Sequence, residues 1–133
     1  MNRTFLNLFL INFITGICAV ALSAQPVVNG LKLADPELEI TLWADSPLLA
    51  NPTNFDVDVS GRIWVTEGVN YRRSKTRDGG DQVVVLEDTD LDGVADKSTV
   101  FVQDPYLVAP MGIGVIDNQI YVSQTPDIVR YTV

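Results

Sequence analysis

From Glu37 onward, apolar and β-branched residues come in short runs that alternate with polar ones, and Gly, Pro, Asn and Asp interrupt the runs at short intervals. A period of two sends successive side chains to opposite faces of an extended chain, so this pattern predicts strands joined by turns. The predicted strands are Glu39–Trp43, Asn54–Val59, Ile63–Glu67, Gln82–Glu87, Thr99–Gln103, Gly112–Ile116, Gln119–Gln124 and Ile128–Thr132. No stretch here has the 3.6-residue apolar period of an amphipathic helix. Ser60-Gly61 and Asp117-Asn118 supply the tight turns of two hairpins.

Those two hairpins repeat one another. Pro52, Phe55 and Val57 followed by Ile63-Trp64-Val65-Thr66-Glu67 correspond to Pro110, Ile113 and Val115 followed by Ile120-Tyr121-Val122-Ser123-Gln124. The offset is 58 from Pro52 to Pro110 and 57 from Ile63 to Ile120, one residue being lost in the second turn. A repeat of this length with about four short strands is that of a propeller blade, and the excess length falls in Gly68 to Asp81. Two chance hairpins of an antiparallel sandwich are the alternative. The expected fold is therefore all-β: a partial β-propeller of about two blades over residues 36–133. A propeller closes with about four blades or more, so the chain reads as a fragment of a longer protein, marginally stable or aggregation-prone when isolated.

The first residues break the pattern. Arg3 precedes the almost wholly apolar run Phe5 to Leu22, small residues follow at Ala21-Leu22-Ser23-Ala24, and no acidic residue occurs before Asp35. This is the layout of a secretory signal peptide, assigned to residues 1–24 with a linker over 25–35. The expected location is periplasmic or extracellular. An apolar run of 18 residues is also just long enough for an uncleaved membrane anchor, the only membrane attachment the sequence supports. Lipid attachment at Cys18 is excluded because Ile17 stands where a small residue is required. Cys18 is the single cysteine, so no disulfide framework is available.

Composition sharpens this picture at one place. Residues 25–133 keep 8 basic and 17 acidic residues, a net charge of −9, which excludes a nucleic-acid partner that would need a basic footprint. Five acids, Glu87, Asp88, Asp90, Asp92 and Asp96, fall within ten residues. Calcium takes six to eight oxygen ligands, so a site needs several carboxylates on a tightly turned backbone. Asp88, Asp90 and Asp92 offer side chains at alternate positions, Gly93 permits the turn, Val94 offers its carbonyl, and Asp96 binds directly or through water. This matches positions 1, 3, 5, 6, 7 and 9 of the EF-hand loop. The twelfth position is Thr99 rather than Glu, and the flanks are predicted strands. The expected site is thus a static calcium staple at 88–96, set against the plainer reading of an acidic turn whose side chains cap backbone amides.

Other chemistry is thin. Arg72, Arg73, Lys75 and Arg77 lie in a long loop that suits an anionic ligand or simply solvates, and Glu67 and Tyr71 are candidate polar groups of a cleft. The sequence has no histidine, which excludes any His-based triad or His metal site. Gly112 and Gly114 read as close-packing residues, and Trp43, Trp64, Tyr106 and Tyr121 as core or inter-blade packing.

Three stretches together resemble one family: Phe55 to Gly68, Val83 to Phe101, and Pro110 to Gly114 with Tyr121 to Tyr131. They are similar to the N-terminal propeller of the large exported, membrane-bound dehydrogenase-type proteins of planctomycetes and verrucomicrobia, over about Pro36 to Val133. That resemblance implies likeness to soluble glucose and sorbosone dehydrogenases, which oxidise sugars with pyrroloquinoline quinone, and a downstream haem segment. The catalytic His of such enzymes is not in this chain, and only the acidic loop carries over, onto Asp88, Asp90, Asp92 and Asp96. Catalytic and quinone-binding residues are therefore unassigned, and the fragment alone is expected to be inactive. Two functions follow as expectations: part of an exported oxidoreductase acting on sugars or related alcohols, or a non-catalytic, calcium-stabilised carbohydrate- or protein-binding propeller.

Overall fold

The computed structural model describes residues 30–133 except 32, 36 and 72–75. The segments assigned as signal peptide, with Cys18, and the start of the linker lie outside the described residues. Among the described residues no helix is long and apolar enough to cross a membrane.

Among the described residues seven strands form two antiparallel sheets. The first sheet has the order β1 (Pro52–Val57), β2 (Ile63–Glu67), β3 (Asp81–Glu87), β4 (Lys97–Asp104); the second has β5 (Gly112–Ile116), β6 (Gln119–Gln124), β7 (Asp127–Thr132). Every pairing joins neighbours in sequence, and the sheets sit side by side with β5 packed on β1 and β2. This is the relation of adjacent propeller blades, so the expected all-β partial propeller stands. β1 and β4 each gain residues at their N-terminal ends, and β1 ends at Val57 rather than Val59. Glu39–Trp43, expected as a strand, is not one: it forms no ladder with a described neighbour, and alternation alone cannot hold a strand without one.

The period-two pattern sorts each strand into two faces. In β2, Trp64 faces the second sheet, where it joins Val83, Val85, Leu107, Ile120 and Val122 in a core that excludes water. Val65 points the opposite way, into a second cluster with Val84, Leu86 and Ala95, onto which Trp43, Ala44, Leu48 and Leu49 pack. A bulge between Val83 and Val84 leaves Phe101 unpaired in the register, and its ring meets Trp64 edge-on with centroids 4.9 Å apart. Tyr131 of the second sheet meets Phe101 in turn, at 6.3 Å and perpendicular.

Polar side chains stitch the two sheets along their first strands. Thr53 Oγ1 donates to the Pro110 carbonyl at 2.6 Å, Asn54 Nδ2 donates to the Met111 carbonyl at 3.3 Å, and Asp56 Oδ2 accepts the Val115 amide at 2.7 Å. Further out, Asp81 is fully buried and accepts the amides of Asn70 and Ala109 at 3.0 and 2.6 Å. Among the described residues every buried side-chain polar atom has a partner, which is what burial in a low-dielectric interior demands.

Candidate metal centre

The acidic loop runs from the end of β3 to the start of β4, and its base is closed by the Asp96 amide donating to the Glu87 carbonyl at 3.0 Å. The Lys97–Glu87 pair at 2.6 Å lies over the same base, half exposed and so of small energetic weight. Above the base the backbone must turn inward within a few residues. Leu91 (φ +63°) and Gly93 (φ +91°) take the left-handed conformation that makes the turn, which Gly tolerates without cost. Asp88 organises it: one oxygen accepts the amides of Leu91 and Asp92 at 2.7 and 3.2 Å, the other that of Gly93 at 2.9 Å. Asp96 takes the Thr89 hydroxyl at 2.6 Å.

The result gathers three carboxylates. Asp88, Asp90 and Asp96 each present an oxygen within 4.8 Å of the other two. Oxygens that share one calcium at about 2.4 Å lie at most about 4.8 Å apart, so the donor set fits a single hard cation. Asp92 stands outside this group and caps the Val94 amide at 2.9 Å. Val94 is half-buried, and the neighbouring Ala95 is buried and donates its amide to the Trp43 carbonyl at 2.7 Å. Thr99, at the twelfth position, lies in β4 opposite Val85, away from the loop.

The other candidates have structural employment. Glu67 is 2% exposed; it accepts the Ala50 amide and pairs with Arg77 Nη1, both at 2.6 Å. Asn70 holds the same loop by accepting the Thr76 and Arg77 amides. Arg77 is thus tied down rather than solvated, while residues 72–75 lie outside the described set. Tyr71 is about half exposed. Tyr106, expected in packing, is 56% exposed because its ring lies on the turn after β4, and its hydroxyl donates to Asp127. That bond raises the Tyr106 phenol above its ordinary value, and burial, reinforced by the bond to Asp104, does the same for Tyr131.

Sequence reasoning missed Asp58. Its oxygens accept Trp64 Nε1 at 2.9 Å, Arg62 Nε at 2.7 Å and the Ser60 and Arg62 amides, while the Arg62 guanidinium lies over the Trp64 ring. Burial alone would raise this carboxyl, but the four hydrogen bonds outweigh it and lower the value from 3.8 to about 2. An Asp placed just before a Gly-containing turn was the available signal.

Fold and loop together define an all-β, two-sheet protein with an acidic strand-to-strand loop. The chain belongs to the family described as Domain of unknown function (DUF7133), which it matches over residues 29–132. Comparison with curated proteins and with solved structures gives no match.

Proposed function

We propose that the loop 88–96 binds calcium and that the ion staples β3 to β4 in an exported propeller. The observation that carries this reading is the convergence of Asp88, Asp90 and Asp96 within 4.8 Å on a rigid strand-to-strand turn. Like charges at that spacing repel, and a divalent cation reverses the sign of the interaction. The strand flanks and the absence of a twelfth-position Glu make the site a static brace rather than a sensor. Calorimetric titration of the folded protein should give a saturable heat with calcium that Asp90→Asn abolishes. No heat at millimolar calcium, together with a melting curve indifferent to chelator, would sink the assignment.

The resemblance to quinoprotein sugar dehydrogenases belongs to the same proposal at the level of a longer protein. The residues described here do not fit pyrroloquinoline quinone, whose carboxylates call for clustered free cations. Of the described cations, Arg62, Arg77 and Lys97 are each paired with a carboxylate of the chain and Arg130 stands apart from them on the last strand, so they form no cluster, and there is no histidine to act as base. No catalytic step is drawn through these residues. A second reading, a binding platform for carbohydrate or protein, is favoured by a cavity of about 330 Å³ beside the loop, lined by Trp43, Arg62, Asp88 and Thr89 among others. An aromatic ring with flanking polar groups is the usual equipment for a sugar. Chemical-shift perturbation by a sugar panel at Trp43 Nε1 tests it, and no shift at tens of millimolar would discard it.

A further inference from the structure

We propose that residues 42–49 are a strap fastened at one end by a latch of the repeat and at the other by the acidic loop, so that a cation on the loop governs whether the strap stays down. Coupling of this kind rests on the calcium reading above and extends it. It adds a second segment that the site controls.

The fixed end is recognisable because the chain builds it twice. Ala50 donates its amide to Glu67 Oε1 at 2.6 Å, and Val108, 58 positions later, donates its amide to Gln124 Oε1 at 2.9 Å. Glu67 and Gln124 each end the second strand of their sheet. The residues that follow the two donors, Asn51 (φ +46°) and Ala109 (φ +54°), both take left-handed backbone, and Pro52 and Pro110 come next. Leu49 and Leu107 stand just before the latch, each packed in an apolar cluster. The same offset matches Trp43 to Phe101, but there the likeness stops. Phe101 lines the seam between the two sheets from within β4, which is laddered to β3 on either side of it. Trp43 has no such ladder.

The acidic loop holds the other end instead. Among the described residues, 42–49 make a single hydrogen bond to another element: the Ala95 amide donates to the Trp43 carbonyl at 2.7 Å. Trp43, Ala44, Leu48 and Leu49 pack over Val65, Val84, Leu86 and Ala95, and Trp43 also borders the cavity that Asp88 and Thr89 line. Ala95 is therefore both the donor of the fastening and part of the floor beneath it. It precedes Asp96, whose carboxylate converges with those of Asp88 and Asp90. Repulsion among the three carboxylates favours opening of the loop, and opening draws Ala95 away from Trp43. A divalent cation holds the carboxylates together and the donor with them. Thr41 and residues 45–47 are exposed, so release gives up little beyond the contacts of Trp43, Ala44 and Leu48, while the latch at Ala50 keeps the strap attached. Linkage makes the effect reciprocal: a docked strap raises the affinity of the loop for the ion by the factor by which the ion favours docking.

Limited digestion of the full chain with chymotrypsin, in calcium and in chelator, with the cleavage sites read by mass spectrometry, tests this. Calcium should slow cleavage after Leu42 and Trp43 by about fivefold or more. Cleavage after Tyr106, exposed on the turn that follows β4, should keep its rate. Calorimetry on the same sample separates the two readings. A saturable calcium heat with unchanged cleavage at Leu42 and Trp43 overturns the strap and leaves the calcium site standing, whereas absence of heat overturns both. Equal slowing at Tyr106 is a global stabilisation and also overturns the strap. Trp43→Ala, outside the loop, should weaken calcium by about the factor seen in the digestion, and Leu48→Ser takes its place where that variant fails to fold. Unchanged calcium affinity in a folded variant overturns the proposal.

Discussion

The β1–β2 and β5–β6 hairpins place Ile63 and Ile120, Trp64 and Tyr121, and Val65 and Val122 at matching positions, yet their surroundings differ. Trp64 is 2% exposed and sits against Phe101, because the sheet it belongs to has a sheet beside it. Tyr121 occupies the same place in the pattern and is only half-buried, since among the described residues no second sheet covers its face. Likewise Asp81, which begins β3, is buried and accepts two amides, whereas Asp127, which begins β7, is exposed and accepts the Tyr106 hydroxyl. The same alternation thus yields a core or a surface according to what lies beside the sheet. Burial here is a property of the pair of sheets, not of the strand.

The largest expected effect breaks this contrast at its centre. Trp64→Ala should cost about 3–5 kcal/mol in urea unfolding, while Tyr121→Ala should cost less than about 1.5 kcal/mol, so comparable losses would refute the difference in packing. Next, Asp81→Ala leaves the buried Asn70 amide and the part-buried Ala109 amide without acceptors and should cost about 2–4 kcal/mol. Asp127→Ala should leave the urea midpoint within error. Calcium at a hundredfold excess over its Kd should add on the order of 2–3 kcal/mol, lost with chelator or with Asp88→Asn, and β5–β7 should not sense it directly in residue-resolved hydrogen exchange.

Asp58 gives a smaller, pH-dependent effect confined to the first hairpin. Above the unfolded carboxyl value near 3.9 both states are ionised and its contribution is whole; as pH falls through about 2 the folded carboxylate protonates and the contribution disappears. Wild type should therefore lose about 1–2 kcal/mol more than Asp58→Asn between pH 4 and pH 2. Smallest is the glycine pair of β5. A Cβ at Gly112 would lie 2.5 Å from Ser123 Oγ, a rotatable hydroxyl, whereas one at Gly114 meets nothing within 4 Å. Gly112→Ala should cost no more than about 1 kcal/mol and Gly114→Ala should be neutral by thermal melting.

What could be read from the sequence follows from range. Ile63–Glu67, Gly112–Ile116 and Gln119–Gln124 were legible to the residue because alternation and turn residues both act locally. Glu39–Trp43 has the same alternation, but a strand exists only where a ladder receives it, and this segment instead lays Trp43 across the outer face of the sheet. In the acidic loop, spacing brought Asp88, Asp90 and Asp96 together but could not show that Asp92 turns to cap Val94. Thr53, Asp56 and Asp81 looked like ordinary strand or turn residues. Their partners lie 57, 59 and 28 positions away, beyond any local signal.

The seam also orders events in time. Ladders within each sheet join consecutive strands, so each is a matter of closing short loops, while the stitches at Thr53 and Asp56 must wait for residues 57 and 59 positions later. On a chain emerging from its N-terminus, β1–β4 can pair before β5 exists, but the side of Trp64 that faces the second sheet stays open until Ile120 and Val122 arrive. The interval between those two moments is when the nascent chain is most exposed to misassociation.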